Sequence, residues 1–167
     1  ANNTTTLGNN GAIAVTAESG SIIFRAGGTE SWAQIGHGGN LNVGDHSGTI
    51  RAKAEQGGVE FYAGTGTGAY AQLGHGGTGA IGGHSGEIDV VALNGILFQG
   101  GTGTDGFVQL GHGGYNAAGN HGGDIRVQSL DGGLDFRWAA NSTTPGNRAY
   151  VQLGHGGLNA AGNHSGN

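Results

Sequence analysis

Eight histidines carry most of this chain's capacity for chemistry, and they fall into four pairs: His37/His46, His75/His84, His112/His121 and His155/His164. Each pair is separated by 9 residues in the frame H-G-G-x4-G-x-H. Imidazole is the commonest metal ligand and titrates near neutrality. Two rings flanking a glycine turn could meet, and stacked pairs would then make a line of Zn, Ni or Cu sites. A metal usually takes three or four protein ligands, however, and no carboxylate or thiolate recurs in the frame. Asp45 adjoins His46 in one copy alone. The favoured alternative is that the rings hydrogen-bond to turn backbone and to neighbouring coils, so no metal and no cofactor is expected.

Other chemistries find less support. The acids Glu18, Glu30, Asp45, Glu55, Glu60, Glu87, Asp89, Asp105, Asp124, Asp131 and Asp135 are scattered, with no recurring pair for general acid–base work. Outward Arg51, Asp89 and Arg126 alternate in sign along one position, which fits lateral charge pairing. No enzyme activity is expected. Thr65-Gly-Thr67 and Thr102-Gly-Thr104 resemble the flat threonine arrays of ice-binding solenoids, but two of the four repeats lack them, which favours a turn role. The chain has no cysteine, which removes disulfides and thiolate sites. A net charge of −5 with six Lys and Arg argues against nucleic acid as a partner. No apolar run approaches membrane-spanning length, so no membrane insertion is expected.

The histidines sit inside a repeat. AQIGHGG (33–39), AQLGHGG (71–77), VQLGHGG (108–114) and VQLGHGG (151–157) place Gln34, Gln72, Gln109 and Gln152 at spacings of 38, 37 and 43. Phe24, Phe61, Phe98 and Phe136 are spaced by 37, 37 and 38, and Ile13, Ile50, Ile88 and Ile125 by 37, 38 and 37. Three independent markers with one period define a repeat protein, with repeats at approximately 11–47, 48–85, 86–122 and 123–165 in a single domain over 1–167. The long interval arises from AANSTTPGNR (139–148), an insertion that leaves the flanking register intact and reads as a surface loop.

Hydrophobic alternation has period two: Ile50, Ala52 and Ala54 interleave with Arg51, Lys53 and Glu55, and Ile88, Val90 and Ala92 with Asp89, Val91 and Leu93. That is the pattern of strands with one buried face. Further short strands are expected near 59–63 and 69–73. Glycine is 41 of 167 residues, against roughly 7% on average. It argues against helices, where each glycine costs up to about 1 kcal/mol relative to alanine. Near-absence of proline excludes collagen.

Each repeat divides into two similar halves, HSGTIRAKAEQGGVEFYAGTG (46–66) and TGAYAQLGHGGTGAIGGHSG (67–86). Small inward residues suit a narrow core. The expectation is therefore an all-β parallel β-helix (β-solenoid) with about 18–19 residues per coil, two coils per 37–38-residue repeat and about nine coils. At ~4.8 Å per strand spacing this makes a rod of about 43 Å, with like residues about 9.6 Å apart. Four ladders are expected to brace it: the phenylalanines above; Trp32, Tyr70, Phe107 and Tyr150; the glutamines, stacked amide on amide; and the histidines.

GxIxVxA strands, Gly-Gly turns and such coils resemble the filamentous haemagglutinin class of secreted bacterial adhesins. The resemblance covers almost the whole chain. It implies a right-handed helix, export to the bacterial cell surface or extracellular matrix, and a role as stalk, fibre or adhesin.

The chain opens on Ala1, as expected of a processed or excised polypeptide. LNAAGNHSGN (158–167) stops where the next Ile-bearing strand would begin, LGNNGAIAV (7–15) is similar to NVGDHSGTIRA (42–52), and no polar cap is apparent. Two expectations stand: a protomer stacking head to tail with copies of itself into a filament, or a piece of a long secreted adhesin stalk. A histidine-pair metal-binding or ice-binding solenoid is the third.

Overall fold

The computed structural model describes residues 8–138 and 146–167. Sixteen short strands and no helix occupy them. They repeat in groups of four. The first group is β1 (Ile13–Ala17), β2 (Ile22–Arg25), β3 (Trp32–Ile35) and β4 (His46–Ser47). The second is β5 (Ile50–Ala54), β6 (Val59–Tyr62), β7 (Tyr70–Leu73) and β8 (His84–Ser85). The third is β9 (Ile88–Ala92), β10 (Ile96–Gln99), β11 (Phe107–Leu110) and β12 (His121–Gly122), and the fourth β13 (Ile125–Ser129), β14 (Leu134–Arg137), β15 (Tyr150–Leu153) and β16 (His164–Ser165).

Equivalent strands pair in parallel into four sheets, β1-β5-β9-β13, β2-β6-β10-β14, β3-β7-β11-β15 and β4-β8-β12-β16. The fold is a β-solenoid of four strand levels, joined by three turns. Ile13 pairs with Ile50, Ile50 with Ile88 and Ile88 with Ile125, each in direct register.

This register corrects the expected winding. One coil takes a whole interval of 37 or 38 residues, so the chain has four levels in place of nine coils of 18–19 residues. The two half-repeats are successive parts of one coil, with β4, β5 and β6 in the first and β7 and β8 in the second. The four levels span about 19 Å along the axis at ~4.8 Å each, in place of about 43 Å. Like residues are immediate neighbours: the Phe24, Phe61, Phe98 and Phe136 rings stack with centroids 4.5, 5.0 and 4.5 Å apart. Trp32, Tyr70, Phe107 and Tyr150 stack at 6.0, 4.5 and 5.0 Å. No intervening coil is needed to fill a gap.

The physical reason is the interior's width. Small residues such as Ala52 and Ala54 line one wall, but Phe61, Leu73 and the wholly buried Gln72 and His75 reach in from others. Side chains of that size need the cross-section of the full repeat. Full burial of a phenylalanine such as Phe61 or Phe98 contributes about 1.5–3 kcal/mol. Alternation follows the sequence, with β5 burying Ile50, Ala52 and Ala54 and exposing Arg51 and Lys53. The 43-residue interval keeps register too, since Gln109 pairs with Gln152. Of the insertion, residues 139–145 lie outside the described residues.

Candidate functional site: the glutamine–histidine turn

The strands β3, β7, β11 and β15 each carry the repeated glutamine and run directly into a Gly-His-Gly-Gly turn. Glycine is required within it: Gly76 has φ +103, and a Cβ there would lie 2.6 Å from the Gly113 carbonyl oxygen of the next level. The turns of successive levels therefore approach as closely as bare backbone allows.

That closeness lets each glutamine reach across. Gln34 Nε2 donates to the carbonyls of Gly74 and Gly76, at 3.0 Å each. Gln72 repeats this with Gly111 and Gly113 at 3.1 and 3.0 Å, and Gln109 with Gly154 and Gly156 at 3.0 Å each. At the fourth level, Gln152 turns back to the His155 carbonyl at 2.9 Å. The amide-on-amide stack is thus corrected. The glutamines align in backbone register, but their NH2 groups clip the following turn. Gln72 Oε1 and Gln109 Oε1 are buried with no hydrogen-bond partner among the described residues.

His37, His75, His112 and His155 form the first imidazole column, with rings 4.9–5.0 Å apart and nearly parallel. The backbone N–H of His37 donates to His75 Nδ1 at 2.9 Å, that of His75 to His112 Nδ1 at 3.0 Å, and that of His112 to His155 Nδ1 at 3.2 Å. A ring nitrogen accepting an N–H carries a lone pair, so Nε2 holds the proton. Nε2 donates to Gly11, Gly48, Gly86 and Gly123 in the four levels, at 2.8, 2.9, 2.9 and 2.7 Å. His75, His112 and His155 are thus two-ended connectors that work only when neutral, while His37 bonds through Nε2 alone.

His46, His84, His121 and His164 form a second column, with rings 5.5, 4.9 and 5.2 Å apart. His46 Nε2 meets Asn42 Oδ1, and Asn9 N–H donates to His46 Nδ1 at 3.3 Å. His84 and His121 share a proton between their Nδ1 atoms, 3.0 Å apart, leaving both Nε2 atoms buried without a partner. The first level carries Asn42 where later levels carry Ala80 and Ala117, which explains why His46 alone in this column bonds a side chain through Nε2.

Burial depresses the basicity of these rings, and neighbouring imidazoles add to it. It lowers His75 and His121 to about 4 and His84 and His112 to about 3, against hydrogen bonding to Gly48 and Gly86 that raises His75 and His112. His46 and His155 are lowered chiefly by burial as well.

Each histidine pair straddles its turn, but the members join separate columns. Among the described residues, no group of three or more His, Cys, Asp or Glu side chains is placed to hold one metal ion. In the charge row, Arg51 adjoins Asp89 and Asp89 adjoins Arg126 in register, yet Arg51 pairs with Glu87 at 3.7 Å and Arg126 donates to Gln128 at 3.1 Å. Thr65 and Thr102 occupy equivalent places in two levels. Gly28 is their first-level counterpart, and the fourth, Pro145, lies outside the described residues. The glycine carbonyls that receive the histidines were not legible as partners, because they lie 26 to 32 residues away and no side chain marks them.

No protein-family model, curated protein or solved structure matches this chain.

Proposed function

We propose that this chain is a non-catalytic structural protein, a β-solenoid building block that stacks head to tail on copies of itself into an extracellular filament. The observation that carries the reading is the pair of complementary faces. The first level presents His37 Nδ1 and the turn carbonyls of Gly36 and Gly38; the fourth presents the His155 N–H and the Gln152 amide. Between levels these groups are bonded partners. In the phenylalanine column the exposed apolar surface lies at the fourth level alone: Phe136 is 46% exposed, whereas Phe98 and the first-level Phe24 are buried. The resemblance in pattern to secreted bacterial adhesins supports export and a cell-surface or matrix location. A right-handed sense accords with the strong preference of parallel crossover connections.

A second reading, a section of a long adhesin stalk, is favoured by one detail. Gly11 accepts from His37 as Gly48 does from His75, and Gly11, Gly48, Gly86, Gly123 and Gly166 succeed one another in one column. A copy stacked in register brings its Gly11 to the place of Gly166, so one segment must yield. In a continuous polypeptide no such conflict arises.

Electron microscopy and light scattering of the purified chain decide between them. Unbranched filaments with a subunit repeat of about 19 Å (four levels at ~4.8 Å) support self-assembly. Monodisperse monomers at high concentration overturn it and leave the stalk.

A further inference from the structure

One backbone position recurs through the levels as Glu30, Gly68, Asp105 and Arg148. Their amides bond in sequence, with Glu30 N–H to the Thr67 carbonyl, Gly68 N–H to Thr104 and Asp105 N–H to Asn147, at 2.8–2.9 Å. All four are left-handed, with φ of 51, 68, 59 and 59°. Three carry charged side chains and the second carries none. The missing side chain opens a cavity of about 180 Å³, lined by Glu30, Trp32, Asn40, Gly68, Thr78 and Asp105 among others.

The same column displays its own preferred filling. Arg148 reaches back one level to grip Asp105, with Nε and Nη2 at 2.5 and 2.7 Å from the two carboxylate oxygens, and its guanidinium lies 5.9 Å from the Tyr115 ring centroid. Glu30 is the counterpart acid one level before the gap, and among the described residues it has no ion-pair partner. Thr78 lines the same cavity, and its Oγ1 is buried with no hydrogen-bond partner among the described residues. A carboxylate, an unused hydroxyl acceptor and a half-exposed indole together suit a ligand that is flat or compact, positively charged and made only of donors. Asp105 is neutralised by Arg148, so Glu30 leaves the gap with one net negative charge.

We propose that the Gly68 gap is a binding site for a guanidinium or primary ammonium group, seated between Glu30 and Asp105 as Arg148 is seated on Asp105. Glu30 supplies the counter-charge, Thr78 accepts an N–H, and Trp32 flanks the cation. The site is open to solvent, so binding is weak, on the order of millimolar, and declines as salt rises. The inference is independent of filament formation.

The test is titration of the intact protein with methylguanidinium chloride, followed by NMR at the Trp32 indole N–H, with Trp138 as reference. A saturable shift of Trp32 alone is expected. Glu30→Gln is expected to weaken binding at least about tenfold. Gly68→Arg supplies the cation from the chain itself: the φ of Gly68 is shared by three side-chain-bearing residues of the column, and the nearest atom to an added Cβ is Glu30 Cγ at 3.9 Å. That variant is expected to melt higher than the parent and to lose the titration. Methylammonium and the peptide Gly-Arg-Gly distinguish the ligand's source. Binding of the peptide indicates a partner's basic side chain, and its exclusion a free organic cation. Undiminished binding in Glu30→Gln, or a response to methyl α-glucoside with none to methylguanidinium, overturns the proposal.

Discussion

The His112 ring accepts the His75 backbone N–H at Nδ1, 3.0 Å away, and donates from Nε2 to the Gly86 carbonyl at 2.9 Å. Protonating Nδ1 would set two donors face to face. The fold therefore holds this imidazole neutral by geometry as well as by burial.

Acid is expected to loosen the solenoid. The folded-state values of His75, His84, His112 and His121, at about 3 to 4, lie below the ordinary 6.5 of an exposed ring. The unfolded chain binds more protons, so their contribution is fully present above pH 6.5 and is lost as pH falls from 6.5 towards 4. Stability therefore rises with pH across that window. Urea midpoints measured at pH 7.5, 6 and 5 are expected to fall steadily. A flat profile would contradict the neutral-connector geometry.

Exchanging His112 for phenylalanine keeps the ring stack and removes both hydrogen bonds. The His75 N–H is then buried without its partner, at about 1–3 kcal/mol, and the part-buried Gly86 carbonyl loses its donor as well. Gln109→Leu is milder, at about 1–2 kcal/mol. The Gly156 carbonyl keeps its bond from the Gly114 N–H, and the unpaired Gln109 Oε1 disappears. Denaturation of the two variants is expected to rank histidine above glutamine; the reverse order would mean that the amide clip dominates.

Gly76→Ala tests the close approach of the turns. Left-handed backbone and a Cβ 2.6 Å from Gly113 O are expected to cost about 2–3 kcal/mol. Gly28→Ala, with nothing within 4 Å of the new methyl, is expected to be nearly neutral by thermal melting. Equal effects would show that the turns yield.

The period, the parallel strands and the alternation of β5 and β9 were legible because side-chain direction along a strand follows from chemistry alone. The number of coils per repeat was not. A period of 37 is compatible with one coil or with two, and glycine-rich turns make any two halves look alike. The inward residues hold the discriminating signal: Phe61 in one half has no like-sized counterpart among the buried Ala69, Ala71 and Leu73 of the other. The glutamine clip was hidden for a different reason, since its acceptors are backbone atoms with no sequence mark. The equivalence of Gly68 and Glu30 has no mark in the sequence, because the first level is one residue shorter there and the two positions fall out of step.

The glutamine clips and histidine N–H bonds between levels all run one way, from each turn to the one after it. The molecule is consequently an arrow. Its tip and its base carry unlike chemistry, so two tips brought together offer donor against donor. Any structure grown from it would lengthen at two ends with unequal rates, and its direction could be read from a single protomer.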